Sequence, residues 1–194
     1  MRKIPRENPG IMRPGQDLAV AGYAGVGGTC RLRDDCREQL SRWFTNEYLD
    51  DIKQLPMPVL NPEPAWLQSV GVTEYEPVGE GGIYAALWTL SGGHGQGFGI
   101  DPRAIPFRQQ TIEVCERLGL NPYALMSGNC LLLVADNGGA TVRKLAEQGI
   151  PAAVIGCVNP GIKRELYHQD GVGYMERPGE DELWRVLQKP ENGS

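Results

Sequence analysis

Residues 129–158 contain an apolar run, an amphipathic segment and a second apolar run, joined by very short connections. The first run is CLLLVAD and the last is PAAVIGCV. Between them, NGGATVRKLAEQGI has its apolar residues at helical spacing and ends at a glycine. A strand, a helix and a second strand in this order are typical of a βαβ unit. The chain is therefore predicted to pack helices against a β-sheet.

The rest of the chain predicts a mixed order of helices and strands. After a polar tail (residues 1–14), the strand DLAVAG precedes a long helix that Thr29 caps and that ends near Ile52. Asn61 is predicted to cap a short helix. Further helices are predicted near residues 81–92, 109–118 and 138–148, with a terminal helix at PGEDELWRVL and strands at TEYEPV, GFGID and GVGYMER.

Composition restricts the classes of partner. The chain has 194 residues and a formal charge of −5, and its basic residues are scattered. Nucleic acid is therefore not expected as a partner, because binding phosphates requires concentrated Lys and Arg. No apolar run approaches the length that spans a bilayer, and the N-terminus lacks the apolar stretch of a signal peptide. We expect a cytoplasmic protein with no membrane partner.

The cysteines and histidines predict no metal site. Five cysteines occur without a C-x-x-C pair, and the only histidines are His94 and His168. These residues cannot supply the ligand spacing of a zinc site. The cysteines are interpreted as mostly small core residues of a reduced protein.

The glycine-rich segment GYAGVGGT resembles a phosphate loop in spacing but not in chemistry. Gly22, Gly27 and Thr29 fit that motif, but Gly28 stands where the loop needs its lysine. Glycine cannot supply that positive charge. We interpret the segment as a tight strand-to-helix turn in which Gly27 and Gly28 let the helix pack close to the strand.

A second glycine pair, in VGEGGIYAAL, is the best candidate for a binding site. Gly81 and Gly82 open a helix directly after a strand, where free backbone N–H groups and the helix dipole favour an anion. The candidate anion site comprises Gly79, Glu80, Gly81 and Gly82. Three roles are open for Glu80: holding a metal ion, orienting a substrate amine, or capping the helix.

Two further segments carry weaker signals. SGGHGQGFGID has no G-x-G-x-x-G spacing and lies between a helix and a strand, so it does not predict a dinucleotide site. His94 is expected to be solvated in a flexible connector. Ser127, Gly128 and Asn129 form a turn, and Cys130 after it is expected to be buried, because nothing places a histidine beside it.

Five segments together resemble the C-terminal domain of the AIR synthase-related family. This family includes aminoimidazole ribonucleotide synthase, thiamine-monophosphate kinase, selenophosphate synthetase and a hydrogenase maturation factor, and the last is the most similar branch. The segments follow the family order over roughly residues 14 to 187. They are PGQDLAVAGYAGVGGTCRL, SRWFTNEYLDD, VGEGGIYAALWTL, GFGIDPRAIPFRQQTIEVCERLGLNPYALMSGNCLLLVA and GIPAAVIGCV.

The resemblance implies an α+β fold. We expect a layered α/β/α domain with a mixed sheet and partly ferredoxin-like topology over residues 15–188, and a tail at 189–194. It also implies that GEGG faces a nucleotide and substrate cleft, with the turn Ser127, Gly128 and Asn129 beside it. ATP and magnesium are implied for the family, but the resemblance places most of their ligands in an N-terminal domain that this chain would take from a partner.

Two departures from the family pattern leave it undecided whether the chain is catalytically active. Pro77, Val78 and Gly79 stand where the family commonly has Asp or His, a hydrophobic residue, and Thr or Ser. The C-terminal ENGS lacks the cysteine of the carbamoyl-dehydrating factor. Activity is therefore not expected from the chain alone. The alternative is a non-catalytic binding or assembly module, and for either function we expect a homo-oligomer.

Overall fold

A single mixed sheet forms the centre of the computed structural model, which describes residues 10–55 and 63–187. Within those residues the sheet has seven strands in the order β2-β4-β1-β5-β3-β6-β7. All neighbours are antiparallel except β3 and β6. The strands are β1 Asp17–Ala21, β2 Val72–Pro77, β3 Gly97–Ile100, β4 Leu131–Ala135, β5 Ala152–Asn159, β6 Arg164–His168 and β7 Gly171–Tyr174.

Strand β1 lies at the centre of a split βαβ arrangement. Strands β4 and β5 are joined by a helix, but both pair with β1, which separates them. In the same way, β4 lies between β1 and β2. The order β5-β1-β4-β2 is that of a ferredoxin-like sheet, so the predicted partial ferredoxin-like topology is confirmed. Both faces of β1 are covered, and the four residues after Asp17 are completely buried.

Helices cover both faces of the sheet, which confirms the layered α/β/α prediction. Helices α4 and α7 pack against the face that carries Ala19 and Leu133. Helix α5 packs against the opposite face, which carries Leu18 and Leu132. A third cluster joins α1, α2, α3 and α6. The helices are α1 Val26–Asp35, α2 Arg37–Leu40, α3 Asn46–Lys53, α4 Pro64–Ser69, α5 Gly82–His94, α6 Gln109–Leu118 and α7 Gly138–Glu147.

The predicted long helix from Thr29 to Ile52 is wrong, because the segment forms α1, α2 and α3. The N-cap is Gly25, in a left-handed conformation, and not Thr29. Instead, the Thr29 hydroxyl donates a hydrogen bond to the Gly25 carbonyl oxygen from inside the first turn. Thr45 caps α3 by accepting a hydrogen bond from the Tyr48 N–H. The apolar spacing looked continuous because all three helices bury residues in the same cluster.

The structure differs from the sequence prediction at two places near the C-terminus. Strand β6 was not predicted, because its short run begins with the polar residues Arg164 and Glu165 and lacks a clear alternation. The predicted terminal helix is only a 3₁₀ turn over Glu182–Arg185. Tertiary hydrogen bonds of the preceding Asp181 hold this segment, as described below. The predicted cap Asn61 lies outside the described residues.

The described part of the chain contains no helix that is both long and apolar enough to span a membrane.

Candidate functional site

Three turns that contain glycine meet at one end of the sheet. The turn 125–129 lies between the other two and bonds to both through the main chain. The Gly27 N–H donates to the Ser127 carbonyl oxygen at 2.6 Å, and the Ser127 N–H donates to the Gly79 carbonyl oxygen at 3.3 Å. We call residues 25–28, 78–82 and 125–129 the glycine junction. The structure thus brings together the two predicted site segments and the turn that resembled a phosphate loop.

Glycine is required in the junction because main chains approach too closely for side chains. A Cβ atom at Gly27 would lie 2.5 Å from the Ser127 carbonyl oxygen. At Gly82 it would lie 2.6 Å from the Tyr123 carbonyl oxygen. Gly27 and Gly28 do permit close packing, but their neighbour is the segment 125–127 and not strand β1. The helix start is therefore fixed by another turn.

Ser127 is buried and holds two turns of the junction together, whereas Gly128 and Asn129 reach the surface. The buried Ser127 Oγ accepts a hydrogen bond from the Gly25 N–H at 2.8 Å. Gly128 and Asn129 are exposed, and Asn129 has a positive φ of 41°. Of the three predicted cleft residues, only Gly128 and Asn129 can therefore meet a ligand without a change of conformation.

The predicted anion position at the start of α5 is occupied by a carboxylate of the same chain. The Gly81 N–H donates a hydrogen bond to Asp181 Oδ2 at 2.6 Å. The Leu183 N–H donates to the other oxygen, Oδ1, at 2.8 Å. Asp181 is only 1% exposed. The backbone at this helix start therefore donates to an acidic group, as expected from its free N–H groups.

Sequence reasoning missed Asp181 as a site residue. The sequence pattern places Asp181 only within the predicted terminal helix PGEDELWRVL. Burial raises the pKa of the Asp181 carboxyl, and the nearby Glu80 carboxylate raises it further. Hydrogen bonds from the backbone N–H groups of Leu183, Gly81 and Met126 lower the pKa and offset only part of this rise.

The segment Asp181–Arg185, which we call the C-terminal strap, closes over the junction. The Trp184 indole N–H donates to Glu80 Oε1 at 2.8 Å. Glu182 Oε2 accepts a hydrogen bond from the Asn121 N–H at 3.1 Å. Within the described ranges no side chain caps α5, so Glu80 does not have the capping role, and its carboxylate contacts the strap instead. Gly79 and Glu80 are themselves exposed.

Aromatic rings form one wall beside the junction. Tyr84 on α5 stacks on Tyr123, with 5.1 Å between ring centroids, and Phe107 meets Tyr123 edge-on. Burial raises the pKa of Tyr84 to about 12. Both hydroxyls are therefore protonated at neutral pH, because the pKa of Tyr123 is also raised by burial.

Two residues singled out in the sequence lie in the interior. The expectation that His94 is solvated is wrong: it is the last residue of α5, and its Nε2 lies 2.6 Å from Oε2 of the buried Glu74. Cys130 is buried, as predicted. Its burial raises the pKa of the thiol to about 12, which disfavours a nucleophilic thiolate.

Metal ligands do not gather in the described part of the chain. No group of three or more His, Cys, Asp or Glu side chains lies there in a position to hold a metal ion.

Comparisons with known proteins give matches in structure only. No family model matches the sequence, and no curated protein does. E. coli HypE matches with 22% identity and a TM-score of 0.65, over 91% of this chain and 54% of HypE. A HypE structure in complex with ATP matches with 18% identity and a TM-score of 0.64, over 89% and 53%. Thiamine-monophosphate kinase from Stenotrophomonas maltophilia matches with 19% identity and a TM-score of 0.58, over 81% and 51%.

The chain spans about half the length of these neighbours, with 54% of E. coli HypE covered. At such low identities the likeness concerns the fold. The chain therefore has the fold of about half of a HypE or thiamine-monophosphate kinase chain, which confirms at the level of fold the predicted resemblance to the AIR synthase-related proteins.

Proposed function

We propose that this chain is the C-terminal-type half of an ATP-dependent AIR synthase-related enzyme of the hydrogenase-maturation-factor type, acting in the cytoplasm. Its contribution is the glycine junction, which forms one wall of a substrate cleft. The shared fold supports this proposal, as does the coverage of only 54% of E. coli HypE. One HypE neighbour was solved with ATP and another in a complex with HypF.

The observation that carries the proposal is the buried carboxylate at the start of α5. Backbone N–H groups of Gly81 and Met126, which lie outside the strap, donate to Asp181, so this position offers hydrogen-bond donors to the oxygens of an anion. A phosphate of the ligand takes the place of the carboxylate at Gly79, Glu80, Gly81 and Gly82 when the C-terminal strap moves away. The exposed Gly128 and Asn129 then contact the rest of the substrate.

The nucleotide and magnesium come with a partner protein that carries the N-terminal-type ATP-binding domain. Catalysis therefore requires both polypeptides, and the chain alone has no turnover. This arrangement assigns Glu80 to the mouth of the cleft and no catalytic side chain to the described residues.

An ATPase assay tests the proposal. The chain is assayed with ATP and magnesium, alone and mixed with a candidate partner that carries the ATP-binding domain. Turnover is expected only in the mixture. Gly79→Asp is expected to abolish it by adding a negative charge at the mouth, and Gly79→Asn is the neutral control of the same size. A Cβ at Gly79 meets no atom within 4 Å, so both variants should fold.

A non-catalytic binding or assembly module is the second candidate. Asp181 and Trp184 close the start of α5 with bonds of 2.6 and 2.8 Å, which favours a site that has become structural. In this case the chain forms a stable complex without ATP turnover, and Gly79→Asp leaves complex formation unchanged. Turnover by the chain alone would contradict both candidates.

A further inference from the structure

Arg108 lies beside Tyr23, which is in the turn that follows β1. It directly precedes α6 and is half-buried. Its guanidinium carbon lies 4.0 Å from the centroid of the Tyr23 ring. Stacking of this kind leaves the planar edge of the guanidinium, with its N–H donors, pointing away from the ring.

Among the described residues, that edge has no acceptor. Arg108 Nε is buried, and no hydrogen-bond partner reaches it. It is the one buried side-chain nitrogen or oxygen without a partner in residues 10–55 and 63–187. Buried N–H groups are almost always paired, because an unpaired one loses its bond to water without replacement. The unpaired Nε is therefore a donor for which the described residues supply no acceptor.

A nearby arginine shows what the missing acceptor would look like. Arg103 donates from Nε and Nη2 to the two oxygens of Asp101, at 2.9 and 2.8 Å. This is the parallel, two-point geometry that guanidinium groups form with carboxylates and phosphates. No carboxylate in the described part of the chain pairs with Arg108 in this way. The guanidinium edge of Arg108 thus has the donors for such a two-point pair, but it lacks a carboxylate or phosphate to accept from them.

The surroundings hold Arg108 in place and add positive potential. The Ala24 N–H donates to the Pro106 carbonyl oxygen at 2.9 Å, which fixes the Tyr23 turn against the segment before α6. Helix α6 has no side-chain cap and no acidic residue in its first turn. Its first N–H groups, at Gln109 and Gln110, therefore add the positive end of a ten-residue helix beside the guanidinium.

We propose that Arg108 binds an oxyanion, a phosphate or carboxylate group of a small molecule, between Tyr23 and the start of α6. Because Nε is covered in this structure, the covering atoms shift when the oxyanion binds, and the oxyanion then accepts two hydrogen bonds from the guanidinium edge that includes Nε. This site shares no residue with Gly79–Gly82 and does not depend on the function proposed above. Tyr23 is a positioning residue, because it holds the guanidinium flat.

Nitrogen-15 NMR on the full chain tests the site directly. The side-chain Nε–H resonance of Arg108 is assigned by its absence in Arg108→Lys. Sodium pyrophosphate and sodium acetate are titrated separately at constant ionic strength. The expected result is a saturable shift of this resonance and of the Gln109 and Gln110 amide resonances with at least one of them. Saturation by pyrophosphate assigns a phosphate ligand, and saturation by acetate alone assigns a carboxylate.

Matched variants separate binding from general charge effects. Arg108→Gln is expected to weaken binding about tenfold or more, judged by the Gln109 and Gln110 resonances, because a charge-assisted pair is lost. Tyr23→Leu weakens it without removing the cation. Arg117→Gln, an exposed arginine on the same helix, should bind like the unmodified chain. Thermal unfolding verifies that each variant is folded. The absence of saturation with both anions, or an equal loss in Arg117→Gln, would overturn the proposal.

Discussion

Asp181 and Gly81 are one hundred residues apart in the sequence, yet the carboxylate of the first accepts the backbone N–H of the second at 2.6 Å. The bond joins the C-terminal strap to the first turn of α5. A helix start of this kind attracts an external anion. Here a side chain of the same chain, Asp181, takes that position.

Asp181→Ala should destabilise the fold. It leaves buried backbone N–H groups, including that of Gly81, without an acceptor, at a cost of about 1–3 kcal/mol in the free energy of unfolding. Urea unfolding measures the change. Asp170→Ala, at an exposed position, is the control and should shift the free energy by less than about 0.5 kcal/mol. Equal stability of the two variants would show that the strap contributes nothing.

The contribution of Asp181 should also depend on pH. Burial raises its pKa in the folded chain, so the folded state binds this proton more tightly than the unfolded state does. Asp181 therefore contributes most to the free energy of unfolding at low pH. This contribution falls as the pH rises from the ordinary aspartate pKa towards the raised pKa of the folded chain. Asp181→Asn cannot ionise. Urea unfolding between about pH 3 and pH 7 should therefore show this variant gaining stability relative to the unmodified chain as the pH increases.

The buried pair His94 and Glu74 should stabilise the packing of α5 on β2. His94→Ala removes a partner 2.6 Å from a carboxylate that also accepts the Gly10 N–H. We expect a loss of about 1–3 kcal/mol in the free energy of unfolding, because a buried acceptor loses its donor. His168→Ala, at an exposed position, provides the control. Similar melting temperatures for the two variants would contradict this account.

Gly28→Ala should destabilise the glycine junction by overpacking. The added Cβ would lie 2.5 Å from Leu125 Cγ, so side chains in the third cluster must shift. The expected cost is about 1–3 kcal/mol, measured by chemical denaturation. Gly179→Ala adds the same methyl group where no atom lies within 4 Å. If neither substitution changes the free energy of unfolding, the close approach of the turns does not contribute to stability.

Self-association should involve the edge strand β7. Val172 and Tyr174 are 54% and 59% exposed there, and an edge strand offers unpaired backbone groups. Light scattering is expected to show a dimer or larger species that Val172→Lys converts towards monomer. Ile112→Lys, on the exposed face of α6, should leave the assembly unchanged. A dilute monomer of the unmodified chain would contradict the prediction.

Local sequence signals predicted the sheet and most helices because apolar periodicity reports burial directly. Helix α6 was predicted at residues 109–118 and is found at Gln109–Leu118. The same signal merged α1, α2 and α3, because periodicity does not show where the chain turns while facing one cluster. It also missed β6, whose polar residues pair with β3 on the open part of the sheet.

The candidate site was only partly accessible to sequence reasoning. Glycines at a strand-to-helix junction signal close approach, and that feature was found. The acid that fills the helix start is distant in sequence, and nothing near Asp181 identifies Gly81 as its partner. The interior position of His94 was missed for the same reason, since its partner Glu74 lies on another element.

The position of β1 has a consequence for biosynthesis. This strand is made before its hydrogen-bonded neighbours β4 and β5, with Ala21 opposite both Leu131 and Ala152. A nascent chain cannot complete the middle of its sheet until those strands have left the ribosome. Contacts so distant along the chain favour slow folding and leave Leu18 and Val20 exposed to chaperones in the meantime.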